Sequence, residues 1–369
     1  MIARRDLLLA GAALPLLPKP ALAAPPLRDI AASRGLVYGT YVRSEMLDKD
    51  RMYTGLVTRE AGLIVCSCAH WKHLAPTRTT VDYTGLEAAY GWARAHRMQY
   101  RGHALLWGEA APVWFAELPD RAAAIRAVEE HVTGTCRHFA GRFHSWDVVN
   151  EPLKLGDGRA DHLRRSVFAE KIGPDYLDIA FRAARAADPK TRLVLNEFGV
   201  ELETENDRDK RAALLGLIDG FKKRGTPIDA VGIQSHIATA TIDKFDPKAF
   251  GAFLAELAGR GLEIMLTELD VVDKGAPAAI PARDRAVADT YRRYLDAALA
   301  SPAVTTVVNW GLSDINSWIS SGKTPEAQRA DGLEPRPLPF DKEGKPKPAY
   351  AAIAAALGAA PLRRQGARA

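Results

Sequence analysis

Short runs of apolar, mostly β-branched residues alternate along this chain with longer stretches rich in Ala, Leu and Arg. Short apolar runs are typical of buried strands, and the longer stretches are typical of helices. The pattern predicts strands at residues 36–42, 62–66, 99–106, 143–149, 192–196, 229–234, 263–267 and 304–310. It predicts helices that include residues 83–96, 121–139, 176–187, 207–224, 247–261 and 283–300, with a last one at 351–357. Because strands that alternate with helices form parallel sheets, eight such units predict an α/β fold, the (β/α)8 TIM barrel.

Two of the predicted strands lead directly into a carboxylate. Pro152 cannot donate to a sheet, so the strand at 143–149 stops near Glu151, and the strand at 263–267 runs into Glu268. Parallel barrels hold their catalytic groups at the carboxyl ends of the strands. Two glutamates at such ends form the pair of carboxylates that glycoside hydrolysis requires. The sequence therefore predicts a glycosidase, with Glu151 ending the fourth strand and Glu268 ending the seventh.

The first residues have the pattern of an export signal. Arg4-Arg5 precedes an apolar run at 7–17 that is too short to span a bilayer, and small residues follow at 21–23. The paired arginines favour the twin-arginine type, while an ordinary secretory signal stays open. We expect residues 1–23 to direct export, which predicts a periplasmic or secreted protein.

The rest of the chain has the length of one barrel. We expect a single catalytic domain at residues 24–358, followed by a flexible basic tail at 359–369. No other stretch has about 18 consecutive apolar residues, so no contact with a membrane is expected. The formal net charge of +5 is modest, and nucleic acid is not an expected partner. We expect a monomer whose partner is a polysaccharide substrate.

Cysteine content and motif content indicate neither a disulfide framework nor a cofactor. Cys66, Cys68 and Cys136 are too few for such a framework, and an i,i+2 bridge strains disulfide geometry, so free buried thiols are expected. His70 and His73 lie near the first two cysteines, but the four residues alternate in direction around a strand end, which disfavours a metal site. The chain has no metal-binding His-Glu-x-x-His, phosphate loop or Gly-x-Ser-x-Gly motif, and we expect no cofactor.

Five motifs, each at a predicted strand end, follow one another along the chain. They are Gly102-His103-Ala104-Leu105-Leu106-Trp107, Trp146-Asp147-Val148-Val149-Asn150-Glu151-Pro152, Gly232-Ile233-Gln234-Ser235-His236, Leu266-Thr267-Glu268-Leu269-Asp270 and Trp310-Gly311-Leu312-Ser313-Asp314 with Ser317-Trp318. Together they resemble glycoside hydrolase family 10, the (β/α)8 endo-1,4-β-xylanases, over residues 27–357. The resemblance implies retaining hydrolysis of the β-1,4 linkages of xylan by double displacement.

The resemblance also assigns roles to individual residues. It implies that Glu151 is the general acid/base and that Glu268 is the nucleophile. It implies that Asn150 binds the sugar 2-hydroxyl at the cleavage subsite. The remaining matches are substrate-binding positions in the cleft: His103 and Trp107 in its wall, Trp310 and Trp318 as floor and cap, and the polar Asn196 and Gln234.

Strand periodicity adds a contact that can be predicted from the residues themselves. Gln234 and His236 face one side of their strand, and Glu268 and Asp270 face one side of theirs. We therefore predict that His236 lies between Glu268 and Asp270, as the matching residues do in the family. A histidine held by Asp270 would donate to Glu268 and favour its charge.

Several positions depart from the family pattern. Ser67, His70 and Gly108 stand where the family usually has Asn, Lys and His, and the glycone-side binding set is thereby altered. After the fifth strand, Asn196-Glu197-Phe198-Gly199 stands where the family has Asn-Asp-Tyr-Asn. These departures leave open a second hypothesis, the same retaining mechanism on another β-linked polymer such as a bacterial exopolysaccharide. A third hypothesis is a catalytically inactive glycan-binding barrel, against which the intact Glu151 and Glu268 argue.

Overall fold

The computed structural model describes residues 25–321 and 327–363. Its strands are β1 Val37–Tyr41, β2 Leu63–Cys66, β3 Gln99–Gly102, β4 Leu106–Trp107, β5 Ser145–Asn150, β6 Arg192–Glu197, β7 Ala230–Ile233, β8 His236–Ala238, β9 Glu263–Val272 and β10 Val304–Asn309. Its α-helices are α1 Leu27–Ala32, α2 Arg51–Glu60, α3 Trp71–Leu74, α4 Thr84–Ala95, α5 Arg121–His138, α6 Val167–Lys171, α7 Tyr176–Ala187, α8 Glu205–Arg224, α9 Pro247–Gly259, α10 Ile280–Ala300 and α11 Pro348–Ala359.

Eight of the strands form a closed parallel ring. The pairing runs β1–β2–β3–β5–β6–β7–β9–β10 and returns from β10 to β1. The short strands β4 and β8 extend the ring at its carboxyl edge, where they pair with β5 and β9. Helices lie between the strands along the chain. The predicted (β/α)8 barrel is confirmed.

Burial explains why these segments adopt these structures. All residues of β2, β5 and β7 are buried, as expected of strands enclosed by both the barrel interior and a helical layer. The helix α7 buries an apolar stripe that includes Tyr176, Leu177 and Phe181. Gly102 is required for packing, because a Cβ there would lie 2.1 Å from a ring carbon of Trp146.

The structure corrects one prediction about the catalytic strands. Glu268 does not end its strand, because β9 continues to Val272. The continuation is stabilised by β8, in which His236 pairs with Asp270 and Ala238 with Val272. Glu151, by contrast, directly follows β5, as predicted.

The cysteines also differ from expectation. Cys66 and Cys68 form a disulfide, with their Cα atoms 5.5 Å apart, so the prediction of free thiols is wrong for this pair. A single turn of 3-10 helix at Ser67–Ala69 follows β2 directly and turns the two side chains toward each other. Cys136 is free and buried, as predicted, and burial raises the pKa of its thiol.

The described residues include part of the predicted C-terminal tail but none of the predicted export signal. The predicted export signal at 1–23 lies outside the described residues. Among the described residues, no helix combines the length and the apolar character needed to cross a bilayer. At the other end Arg363 is buried and donates to the carbonyls of Leu299 and Val304. The prediction of a flexible tail from residue 359 is therefore wrong as far as Arg363.

Candidate active site

A cleft of about 760 Å³ opens at the carboxyl end of the barrel strands. Its walls contain most of the residues that the sequence assigned to a site, namely His103, Trp107, Asn150, Glu151, Gln234, His236, Glu268, Trp310 and Trp318. The other two, Asn196 and Asp270, are fully buried and hydrogen bond to residues that line the cleft. The barrel therefore brings all of the predicted site residues into one cluster.

Glu151 occupies a backbone conformation that is unusual for its residue type. Its φ of 53° lies in the left-handed region, which costs a residue with a side chain about 1–2 kcal/mol. Its amide donates to the carbonyl of Asn196, which fixes the turn after β5. The carboxylate accepts from Gln234 Nε2 at 3.1 Å and from Arg164 Nη2 at 3.0 Å. The turn thus presents the carboxylate to the cleft with donors on both oxygens.

Glu268 is held as a carboxylate within β9. Asn196 Nδ2 donates to Oε1 at 2.7 Å, and His236 Nε2 lies 3.3 Å from Oε2. Burial acts against the charge, but the hydrogen bond from His236 and the charges of His103 and His236 together lower the pKa of Glu268. The side chain is therefore both oriented and ionised at neutral pH.

The predicted position of His236 is confirmed. Its Nδ1 lies 2.9 Å from Asp270 Oδ1, and its Nε2 faces Glu268. Burial opposes the imidazolium, yet the charge and hydrogen bond of Asp270 and the contact with Glu268 raise the pKa of His236 well above its ordinary value. The second oxygen of Asp270 accepts from Trp318 Nε1 at 2.6 Å. Asp270 thus fixes both a histidine and a tryptophan of the cleft.

Asn196 is the link between the two halves of the site. Its Nδ2 also donates to Asn150 Oδ1 at 2.8 Å, and its Oδ1 accepts from Thr267 Oγ1 at 2.6 Å. The amide fits because Gly232 lies beside it, where a Cβ would come within 2.2 Å of Asn196 Oδ1. The sequence analysis noted Asn196 only as a polar cleft position, so this linking role was missed.

A buried charge network below His103 was also missed. His103 Nδ1 lies 2.8 Å from Asp147 Oδ2, and Arg101 forms an ion pair with the other oxygen of Asp147. Burial acts against a charged ring, but the hydrogen bond to Asp147 and the charge of Glu268 raise the pKa of His103. Asp147 is part of the second motif, and its position three residues before Asn150 in a buried strand was the available signal.

Aromatic rings line the cleft, and Trp310 and Trp318, predicted as its floor and cap, are among them. Trp310 lies 4.4 Å from Tyr41 between ring centroids, and Trp318 lies 5.3 Å from His236. The indole Nε1 of Trp107 and the Nε2 of His70 are buried without a hydrogen-bond partner. Burial and neighbouring histidines lower the pKa of His70 to about 2, so this ring stays neutral. The wall beside Trp107 therefore offers uncharged polar atoms.

Five further residues of the site were not predicted from the sequence. Tyr41, Arg43, Glu109 and Phe198 line the cleft, and Arg164 contacts Glu151 from behind. The Phe198 ring is 39% exposed, which is unusual for a large apolar side chain. Phe198 was visible as a departure from the family motif after the fifth strand, whereas no local pattern marks Arg164.

Residues 26–356 match the pattern described as Glycosyl hydrolase family 10. The chain belongs to this family. It is similar to endo-1,4-beta-xylanase A of Thermoanaerobacterium saccharolyticum, with 33% identity over 76% of this chain and 23% of that protein. It is also similar to endo-1,4-beta-xylanase 5 of Pyricularia oryzae, with 30% identity over 90% of this chain and 79% of that protein.

The solved structure of a xylanase 10B from Thermotoga petrophila in complex with xylobiose has the same fold. The TM-score is 0.80 at 27% identity, and the alignment covers 91% of this chain and 98% of that one. The family 10 chain described here spans about a quarter of the length of the Thermoanaerobacterium relative. That relative therefore extends well beyond the part that matches.

Proposed function

We propose that this protein is a retaining endo-1,4-β-xylanase. The observation that carries the proposal is the pair of carboxylates in one cleft with different surroundings. Glu268 is kept ionised by Asn196 and His236, whereas Glu151 sits on a turn at the cleft wall. A fixed anion opposite a second carboxyl group is the arrangement used for double displacement. Family membership and the xylanase names of the relatives favour xylan as the polymer.

In the first step Glu268 attacks the anomeric carbon while Glu151 protonates the leaving oxygen. The C1–O bond breaks, and a glycosyl ester forms on Glu268. In the second step Glu151, now ionised, takes a proton from water, and the water oxygen displaces Glu268 from C1. The sugar keeps its β configuration because two inversions occur. This mechanism predicts that the two carboxyl groups lie about 5–5.5 Å apart.

The neighbouring residues have roles in binding the sugar. Asn150, held by Asn196, is placed to bind the 2-hydroxyl, a contact that strengthens in the transition state. His103 and Trp107 form the wall of the cleavage subsite, and Gln234 positions Glu151. Flat rings suit the apolar faces of sugars, which is the role we assign to Trp310 and Trp318.

A trapping experiment tests this function. Incubation with an activated 2-deoxy-2-fluoro-β-xylobioside is expected to add one glycosyl group, and peptide mass spectrometry is expected to find it on Glu268. Glu268→Ala serves as the matched control and is expected to take no label. Proton NMR of xylan hydrolysis is expected to show the β anomer first. A first-formed α anomer, or a label on another residue, would contradict the assignment.

We also propose that the enzyme is exported and works as a monomer. The support for export is the sequence of residues 1–23, with its paired arginines and short apolar run. Expression of the full chain in a bacterium, followed by fractionation, is expected to place the processed protein outside the cytoplasm. Replacement of both Arg4 and Arg5 by Lys is expected to retain it inside if the twin-arginine route is used.

A further inference from the structure

Arg164 contacts Glu151 at two points. Its Nη2 donates to Glu151 Oε2 at 3.0 Å, and its Nε donates to the main-chain carbonyl of the same residue at 2.9 Å. Both side chains are only 13% exposed, so water weakens the ion pair little. The third guanidinium nitrogen, Nη1, lies 3.4 Å from Glu109 Oε1. One arginine thus holds both the carboxylate and the backbone of the proposed acid/base.

The position of Arg164 is fixed by the loop that carries it. Residues 153–163 fold back on themselves, with Leu153 bridged to Leu163, and Arg164 N donates to the carbonyl of Pro152 at 2.6 Å. The returning chain packs closely on Gly108, where a Cβ would lie 2.9 Å from Ser166 Cβ. Any larger residue at 108 would push this loop outward. Gly108, one of the departures from the family pattern, therefore leaves room for the loop that brings Arg164 to Glu151.

Two physical effects follow from the contact. The hydrogen bond to the carbonyl helps to hold Glu151 in its left-handed backbone conformation, which is unfavourable without support. The hydrogen bond to Oε2 fixes the rotation of the carboxyl group, so that Oε1 stays beside Gln234 Nε2. Arg164 therefore supports both the backbone and the side-chain geometry from which Glu151 exchanges a proton with the sugar oxygen.

Other charged groups around Glu151 act in different directions. Glu197 at the end of β6 is close enough to interact electrostatically with Glu151, although its own partner is Lys210 on α8 at 2.6 Å. Glu268 lies across the cleft on β9. Gln234 is a neutral donor. Among these neighbours Arg164 is the cation in direct contact with the Glu151 carboxylate.

We propose that Arg164 is a positioning residue that aims Glu151 at the glycosidic oxygen. The proposal rests on the function assigned to Glu151 above. Arg164→Gln removes both bonds to Glu151, and a hydrogen bond to a charged group contributes about 1.5–3 kcal/mol. We therefore expect kcat on xylotriose to fall about 10- to 150-fold with KM unchanged, and to fall much less on an aryl xylobioside whose good leaving group needs little proton donation.

Arg164→Lys separates charge from geometry. A lysine keeps the positive charge but cannot donate to the carboxylate and the carbonyl with the fixed fork of a guanidinium. One of the two bonds can still form, so kcat on xylotriose is expected to fall less than in Arg164→Gln, by about fivefold for one lost hydrogen bond of about 1 kcal/mol. Arg159→Gln is the matched control, since Arg159 belongs to the same loop and its guanidinium bonds at 2.8 and 2.7 Å go to Asp161. It is expected to change kcat on neither substrate.

A comparison of two substrates makes the test specific for proton donation. A fall in kcat on xylotriose that exceeds the fall on the aryl xylobioside supports the proposal. Equal falls on the two substrates, or an unchanged kcat in Arg164→Gln, overturn it. If Arg164→Gln does not fold, Arg164→Lys decides, because an unchanged kcat would overturn the positioning role. Failure of the fluorosugar to label Glu268 would instead overturn the proposed function.

Discussion

Adding one methyl group at Gly232 is expected to disable the site without touching a proposed catalytic residue. Gly232 lies in β7, where a Cβ would be 2.2 Å from Asn196 Oδ1 and 2.9 Å from Thr267 Cγ2. Both neighbours are buried in the barrel. Real Cβ atoms do not approach an oxygen so closely, so Gly232→Ala forces Asn196 to move.

The magnitude follows from the bonds that Asn196 makes. Forcing an extra methyl group into a packed interior costs about 1–3 kcal/mol of folding free energy. Asn196 donates a hydrogen bond to the Glu268 carboxylate, which is a charged acceptor. Hydrogen bonds to charged groups contribute about 1.5–3 kcal/mol of stabilisation. Loss of the bond from Asn196 frees the carboxylate and also releases Asn150. We therefore expect kcat on xylotriose to fall about 10- to 150-fold.

The same substitution elsewhere in the chain provides the control. Gly216 lies within α8, and a Cβ there would meet no atom within 4 Å. Gly216→Ala is expected to raise the free energy of unfolding by about 0.5–1 kcal/mol, since alanine is the better helix former, and to leave kcat unchanged. Urea unfolding and steady-state kinetics of both variants give the comparison.

A double variant tests whether the effect passes through Asn196. If the methyl group acts by displacing this side chain, adding Asn196→Ala to Gly232→Ala is expected to reduce kcat little further, whereas independent effects would multiply. Wild-type kcat in Gly232→Ala would refute the reasoning, because it would mean that the Asn196 contacts do not position Glu268.

Three further predictions concern the cleft. Glu268→Ala is expected to abolish turnover on all substrates, whereas Glu151→Ala retains activity on aryl glycosides with good leaving groups and gains turnover with azide; equal loss without rescue would contradict the two roles. Trp107→Phe removes the buried indole N–H, which has no hydrogen-bond partner and can donate to a sugar hydroxyl, and it also shortens the ring that lines the cleft. It is expected to lower kcat/KM on xylotriose about 5- to 140-fold, and unchanged kinetics would count against this. The free energy of unfolding, measured in urea, is expected to be highest between about pH 4.5 and 6.5. The raised pKa of His236 stabilises the folded state fully below pH 6.5, and this contribution is lost as the pH rises further. The lowered pKa of Glu268 stabilises the folded state fully above pH 4.5, and this contribution is lost as the pH falls further. A flat profile of unfolding free energy against pH would contradict this prediction.

Patterns that depend on local periodicity could be predicted from the sequence. Buried parallel strands produce apolar runs whatever their partners are, so all eight barrel strands were found within a few residues. The contact of His236 with Glu268 and Asp270 was found because alternate residues of a strand face the same way. The strand β9 was predicted too short because its polar residues, Glu268 and Asp270, interrupt the apolar run although both are buried.

Features that depend on the path of a loop or on the register between two strands could not be predicted. Arg164 is thirteen residues beyond Glu151, and only the return of the loop brings the two together. The disulfide between Cys66 and Cys68 depends on a turn of 3-10 helix that directly follows β2. The ion pair of Arg101 with Asp147 joins two adjacent strands. The register between these strands, which places the two residues together, cannot be obtained from either strand alone. In none of these cases does the local pattern of apolar and polar residues report the contact.

The different supports of the two carboxylates fit the different tasks proposed for them. A nucleophile must keep one geometry and one charge, and Glu268 is fixed within a ten-residue strand that is paired on both sides. Its oxygens accept from side chains that are themselves hydrogen-bonded, so neither donor is free to turn away. An acid/base must release and regain a proton, and Glu151 stands on a turn beside a cation carried by a loop. Because the strand and the loop are separate, a change in the loop at Arg164 can alter the orientation of Glu151 without moving the nucleophile.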